Sequence, residues 1–310
     1  MKPKTKPTIA VCITSLGASK EQFGLIDSSI KSLRDRFDVI YDERIIADDI
    51  FGSRSVQARI NSINWAAERG DIIMAWNGGF NAIELLFAFD KLRIDKSKIF
   101  VGYSDNTILI NALASQQVCR SWQGPMLARW LKNPESGDIY AQSLLDLYQS
   151  NYSAMSEQYN QLGMTVFRAG EMRGPVIGGN NYSFDLLQGA PFCPAFKTPF
   201  ILLLEGENCI VDTSRVWQDF IRNLDSIMLQ PGAVDNLQGL LIGRFAEDYR
   251  INVDEVELSL KSRSYLKNVP IIYNFARGYN RQMLCLPIGD PLSIVAKPNN
   301  TVAITNLNQV

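Results

Sequence analysis

Histidine is absent from all 310 residues. That removes the one side chain whose ordinary pKa lies near neutrality, so no imidazole can act as general base or metal ligand. The five cysteines, Cys12, Cys119, Cys193, Cys209 and Cys285, are scattered with no CxxC pair. Without histidine or paired cysteines the usual zinc ligand sets cannot be assembled, and no metal is expected. An odd, unpatterned cysteine count points to reduced thiols and a cytoplasmic setting. No apolar run reaches the length of about 18 residues needed to span a bilayer. Net charge is lacking too: 31 Lys and Arg against 32 Asp and Glu leave −1. A balance so close to zero gives no pull toward a nucleic acid polymer or an anionic membrane. The apolar run TIAVCI, behind the basic start MKPKTKP, is too short for a secretory h-region and is followed by no small-residue cleavage site. It reads as a first strand after a basic tail.

What is present suits a large globular core. Hydrophobic residues make up 46%, and the length allows one large domain or two ordinary ones. The first part alternates. TIAVCIT, FDVIYDE, DIIMAW and KIFVGY read as strands. Glu21 to Leu33, SVQARINSINWAAERG, NAIELLFAFDKL and NTILINALAS read as helices. Apolar, β-branched strands alternating with helices argue for a parallel sheet covered on both faces. A polar, Ser- and Tyr-rich stretch with helical tendency then interrupts the rhythm. After it come the strands in GPVIGGNN, PFILLLE, LQGLLIGRF and VPIIYNF, the helices RVWQDFIRNLDSIML and EVELSLKSRSYL, and two short carboxyl-terminal strands in hairpin order. The expected architecture is α/β. It comprises an N-terminal parallel-sheet domain over 1–135, a helical connection over 136–165, and a C-terminal α/β domain with its own sheet over 166–310. An active-site cleft is expected between the domains.

Polar groups converge where strands end. DIIMAW runs into Gly78 and Gly79, KIFVGY into Ser104 and Asp105, PFILLLE into Glu205, GLLIGRF into Arg244, and VPIIYNF into Arg277, Gly278 and Tyr279. In open α/β sheets ligands sit beyond the carboxyl ends of the strands. Ser104, on a sharp strand-to-helix turn, reads in two ways. It resembles a nucleophile elbow, with the N–H of Asp105 beside it as an oxyanion donor. Alternatively Ser104 and Asp105 cap the helix, which is common for both residue types and is the commoner outcome for such a stretch alone. Gly78 and Gly79 free the backbone to approach a ligand, and the Gly79 N–H is a second potential donor. Arg244 reads either as a holder of a substrate carboxylate or as a rim salt bridge. The turn VIGGNN is not a GxGxxG, so no dinucleotide and no other cofactor is expected.

These segments resemble a family. MAWNGGFN, VGYSDNT, WQGPM, VIGGNN, FILLLEGEN, GLLIGRF and MLCLPIG occur in the order found in LD-carboxypeptidases, serine peptidases that include the microcin C immunity proteins. The resemblance spans Thr8 to about Ile288 and implies the two-domain fold, usually as a homodimer. It also implies a Ser–Glu–His triad, with Ser104 as nucleophile and Glu205 as acidic member. The histidine position maps to Tyr279, and a further histidine common before GPM maps to Gln123. By the same resemblance Gly79 and Asp105 supply the oxyanion donors.

The departure at Tyr279 bears directly on activity. A serine hydroxyl is a poor nucleophile without an adjacent base, and a phenol of pKa about 10 is almost wholly protonated at neutral pH. Arg277 and Arg281 flank Tyr279 and would favour a phenolate, which Glu205 would oppose. Three functions follow: a hydrolase with altered machinery acting on a peptide-like amide, a pseudoenzyme that binds a peptide, muropeptide or peptide-nucleotide, or an enzyme turned to other acyl chemistry. The expected one is a serine carboxypeptidase homologue with weak or no hydrolysis. It would take a peptide-like small molecule as ligand, with Gly78, Gln123, Arg244 and Arg277 lining the site.

Overall fold

The computed structural model describes residues 6–206, 215–245, 249, 251–278 and 283–309. The chain separates into two compact units. One comprises Met1–Leu145 with Cys285–Pro287, the other Asp146–Leu284 with Ile288–Val310. The division falls inside the helix Gly137–Tyr148, within the stretch read from sequence as a connection. A second helix, Tyr152–Asn160, follows it.

The first unit carries β1 (Thr8–Cys12), β2 (Asp38–Ile40), β3 (Ile72–Ala75), β4 (Ile99–Gly102) and β5 (Arg120–Gln123). β1 pairs in parallel with β2 and β3, β3 with β4, and β4 with β5. Every residue of β3 and β4 is buried, as expected of a sheet covered on both faces. The second unit carries β6 (Thr165–Arg168), β7 (Gly170–Asn180), β8 (Phe200–Glu205), β9 (Leu237–Arg244) and β10 (Ile271–Gly278). β11 (Leu286–Ile288), β12 (Pro291–Lys297) and β13 (Thr301–Asn306) complete the strands. The seven-stranded sheet runs β13-β12-β7-β8-β9-β10-β6, and β11 instead joins the first sheet beside β5. The carboxyl-terminal stretch therefore gives three strands where the sequence suggested two. β7 to β10 are parallel neighbours, whereas β6, β12 and β13 pair antiparallel.

Some elements depart from the sequence pattern for local reasons. The helix expected over Glu21 to Leu33 stops at Ser29 and resumes at Lys31, with Ile30 buried at the break. Ser28 and Ser29 both donate hydroxyl bonds to the Leu25 carbonyl at 2.9 Å, a competition that weakens a helix. Ala82–Lys91 winds as a 3₁₀ helix with a break at Ala88. Its buried residues, Ala82, Leu85 and Ala88, fall three apart, the repeat of a 3₁₀ turn rather than of an α-helix. No helix among the described residues is long and apolar enough to cross a membrane.

Candidate active site

The first sheet runs β2-β1-β3-β4-β5-β11. In that order the chain winds one way from β1 and the other way from β3, which leaves a crevice at the carboxyl ends of the strands. Ser15 lies just beyond β1, Gly78 and Gly79 beyond β3, and Ser104 and Asp105 beyond β4. Gln123 ends β5 in register with Gly102.

Ser104 follows extended Tyr103 and takes a left-handed backbone with φ +59°. A 3₁₀ turn over Ser104–Asn106 leads into the helix Thr107–Ser115. An L-residue held left-handed is disfavoured by roughly 1–2 kcal/mol, so the surroundings must impose it. Two of them are visible. Asn106 is fully buried and donates its amide to the carbonyls of Asn77 at 3.1 Å and Tyr103 at 3.4 Å, tying the β3 turn to the elbow. Gly78 packs against the elbow so closely that a Cβ there would sit 2.9 Å from Ser104 Cβ and 3.0 Å from its Oγ. The residue must be glycine for the serine to keep its place.

The helix-cap reading of Asp105 does not hold. The helix Thr107–Ser115 starts from Asn106 with no side-chain cap bond. The Asp105 carboxylate instead reaches across to the next turn, where its Oδ2 accepts from Ser15 Oγ at 2.6 Å and from the Ala82 N–H at 2.8 Å. Burial pushes its pKa up, while these bonds and the Arg59 charge pull the other way. Arg59, also buried, donates to the carbonyls of Thr14 at 3.0 Å, Asn81 at 2.9 Å and Arg54 at 3.0 Å, and pairs with Glu84. Sequence reasoning missed Ser15, Arg59 and Asn81. The available signals were a serine directly beyond β1 and an arginine on the inward face of an amphipathic helix. Gln123 is fully buried, and neither its amide nitrogen nor its amide oxygen has a hydrogen-bond partner among the described residues.

In the second unit Glu205 ends β8, fully buried and in register with Asn180 of β7. Its side chain lies over Gly243 of β9, where an added Cβ would come within 2.8 Å of Glu205 Cγ. Arg244, the next residue of β9, donates to the carbonyls of Leu162 and Gly163. That tie fixes the turn before β6. β10 is bulged, with register shifts on either side of Phe275 and Asn274 left-handed at φ +56°. Such non-glycine strain gathers near functional segments. Tyr279 and Arg281, which follow this strand, lie outside the described residues, as does the Arg277 side chain. Glu205, Arg244 and the end of β10 share one edge of their sheet, as Gly78, Gly79, Ser104, Asp105 and Gln123 share one edge of the other.

Residues 9–124 match the LD-carboxypeptidase N-terminal domain, and residues 173–294 the C-terminal domain of the same family. The chain belongs to the LD-carboxypeptidase family. It is 27% identical over 300 residues to a Treponema pallidum (strain Nichols) protein named "Putative carboxypeptidase", covering 87% of this chain and 85% of that one. It is 23% identical over 290 residues to the microcin C7 self-immunity protein MccF of Escherichia coli, covering 83% and 80%. An MccF-like protein from Bacillus anthracis str. Ames superposes with a TM-score of 0.81 at 22% identity, covering 99% and 98%. MccF in complex with aspartyl sulfamoyl adenosine superposes with a TM-score of 0.72 at 18% identity, covering 97% and 98%. At these identities the structures establish a shared fold.

Proposed function

We propose that this LD-carboxypeptidase homologue binds a peptide-like ligand with a free carboxyl terminus, a muropeptide or an aminoacyl nucleotide, and hydrolyses it weakly or not at all. One observation carries the reading: the elbow at Ser104 is intact in a chain that contains no histidine. Ser104 takes the nucleophile's place and Glu205 that of the acidic member. Tyr279 replaces the base, and the N–H groups of Gly79 and Asp105 are the oxyanion donors. Gly78 and Gln123 line the ligand, and Arg277 biases the Tyr279 phenol toward ionisation.

Attack by Ser104 Oγ on an amide carbonyl requires its proton to leave as the C–O bond forms, and the same proton must reach the departing amine. Imidazole does both because its pKa lies near the working pH. A phenol is almost wholly protonated at that pH, and its neutral oxygen is far too weak a base to take the serine proton. What remains is binding plus an oxyanion hole, about 10³–10⁴-fold over water in the serine-protease case. The family resemblance further supports a homodimer, and the scattered cysteines a cytoplasmic setting.

The test is labelling of the wild-type protein by a serine-directed phosphonate at pH 7, alongside turnover of a dipeptide-terminated amide. Slow or absent labelling, with measurable binding of the uncleaved peptide by calorimetry, is expected. Rapid labelling with brisk turnover overturns the reading.

A further inference from the structure

The Asp105 carboxylate does no chemistry in the scheme above, yet it is buried beside the elbow and hydrogen-bonded on a turn 23 residues away in sequence. We propose that the Asp105 side chain is a positioning residue that sets the Gly79 N–H against Asp105's own N–H, so that one residue holds both halves of the anion hole. The inference rests on the reading of these two N–H groups as oxyanion donors.

The β3 turn, Asn77 to Asn81, carries Gly79 and leaves its strand without the ladder bonds that would fix it. It is held at several places, among them the Asn81 carbonyl, which accepts from Arg59 at 2.9 Å, and the Asn81 amide, which donates to Ser53 Oγ at 3.1 Å. Asn106 takes the Asn77 carbonyl at 3.1 Å, and the Leu16 N–H takes the Gly78 carbonyl at 3.2 Å. The turn's exit is gripped by Asp105, whose Oδ2 accepts the Ala82 N–H at 2.8 Å and faces Ser15 Oγ at 2.6 Å. Ser15 relays the grip. Its oxygen lies 2.7 Å from Asn81 Oδ1 and accepts from the Asn81 N–H at 3.4 Å. It also sits directly against Gly79, where an added Cβ would come within 2.3 Å of Ser15 Oγ. On the other side, a Cβ on Gly78 would lie 3.6 Å from the Asp105 nitrogen. The backbone of Asp105 and the turn its side chain holds therefore face each other across a few ångströms. Oxyanion donors act only when already aimed, because reorganising them during reaction consumes the stabilisation they offer. A group that fixes both contributes to anion binding while touching no ligand.

The prediction is differential. An N-acyl dipeptide with a free carboxylate presents a neutral carbonyl to the hole, and its phosphonate analogue, lacking a leaving group, presents an anionic oxygen. Wild-type protein should bind the phosphonate at least about tenfold tighter than the dipeptide, as expected of a site built for the charged state. Asp105→Ala should reduce that preference to about threefold or less, a loss greater for the anionic probe than for the dipeptide. Asp105→Asn keeps one oxygen for the Ala82 N–H and should fall between. Ser15→Ala, which removes only the relay, should also lower the ratio, and it decides the matter if Asp105→Ala fails to fold. A wild-type preference that survives both variants, or equal weakening of both ligands, overturns the positioning role alone. A wild-type protein that binds the two probes alike, or neither, overturns the anion-hole reading and this inference together.

Discussion

Ser104 is the residue at which local strain and close packing meet. A left-handed serine is tolerated because the strand before it, the 3₁₀ turn after it and Gly78 beside it leave no other path. Two stability measurements follow, neither of which needs activity. Ser104→Gly should be more stable than Ser104→Ala by about 1 kcal/mol in urea denaturation, because glycine adopts φ +59° without the Cβ penalty. Gly78→Ala should destabilise by about 1–3 kcal/mol through the Cβ contact with Ser104. In the Ser104→Gly background that cost should fall sharply, since the atoms it meets are gone. Equal costs in the two backgrounds would show that Gly78 is required for some other reason. The strand-to-helix placement of Ser104 was legible because an apolar β-branched run stops at Gly-Tyr-Ser-Asp before a helical pattern resumes. The close approach of Gly78 was not, since it depends on strand order. Nor was the reach of Asp105 to Ala82, since side chains joining separate turns leave no periodic trace.

At the scale of elements, the helix Val216–Met228 shows what periodicity can deliver. Val216, Phe220, Ile221, Leu224, Ile227 and Met228 are all buried, at the spacing of one helical face. The sequence reading began the first helix at Glu21 and missed the capping box of Ser19 and Gln22 that starts it at Lys20. Two strands, β5 and β6, escaped. β5 is four residues opening on an exposed arginine, and β6 alternates no more clearly than a loop would. The same helix carries a clamp that sets a pH prediction. Asp225 receives two bonds from Arg263, at 2.8 and 2.7 Å, and the Tyr265 hydroxyl at 2.5 Å. Burial alone would raise the Asp225 pKa. The hydrogen bonds of Arg263 and Tyr265 and the Arg263 charge outweigh it and hold the carboxyl below its ordinary range. A depressed folded pKa stabilises above the unfolded value and loses that contribution as pH falls through the folded one. Asp225→Asn should therefore be less stable than wild type at pH 7, by on the order of 1 kcal/mol for so exposed a group. The gap should close below about pH 4, the ordinary range of an aspartate. A gap that does not narrow at all as pH falls below about 4 would assign the effect to packing. A second element-level prediction concerns β7. Gly178 has φ +107°, and a Cβ on it would lie 2.0 Å from the Leu203 carbonyl oxygen. Gly178→Ala should cost more than about 3 kcal/mol by combining strain with a backbone clash, read as a lowered urea midpoint.

Across the whole molecule, the absence of histidine turns one substitution into an unusually clean experiment. Tyr279→His would introduce the only imidazole in 310 residues, so any activity titrating near neutrality in the variant has a single source. If Tyr279 holds the base position, the imidazole completes the triad with Ser104 and Glu205. Hydrolysis of a dipeptide-terminated amide should then rise by about 10²-fold or more, the usual contribution of a positioned general base. The sign of its pH dependence follows from the role. A base works only when neutral, so the rate should climb through the imidazole pKa, about 6.5 before any perturbation, and level off above it. Arg277 and Arg281, each two residues away in sequence, would shift the inflection down by disfavouring the imidazolium, whereas Glu205 would shift it up. The direction of the measured shift thus reports which charge dominates. Wild-type protein should show no such inflection. A wild-type rate that instead climbs toward pH 10 and vanishes in Tyr279→Phe would make the phenolate the base and the chain a slow enzyme. A folded Tyr279→His variant that binds the peptide as wild type does, yet gains nothing, would remove Tyr279 from the triad position altogether.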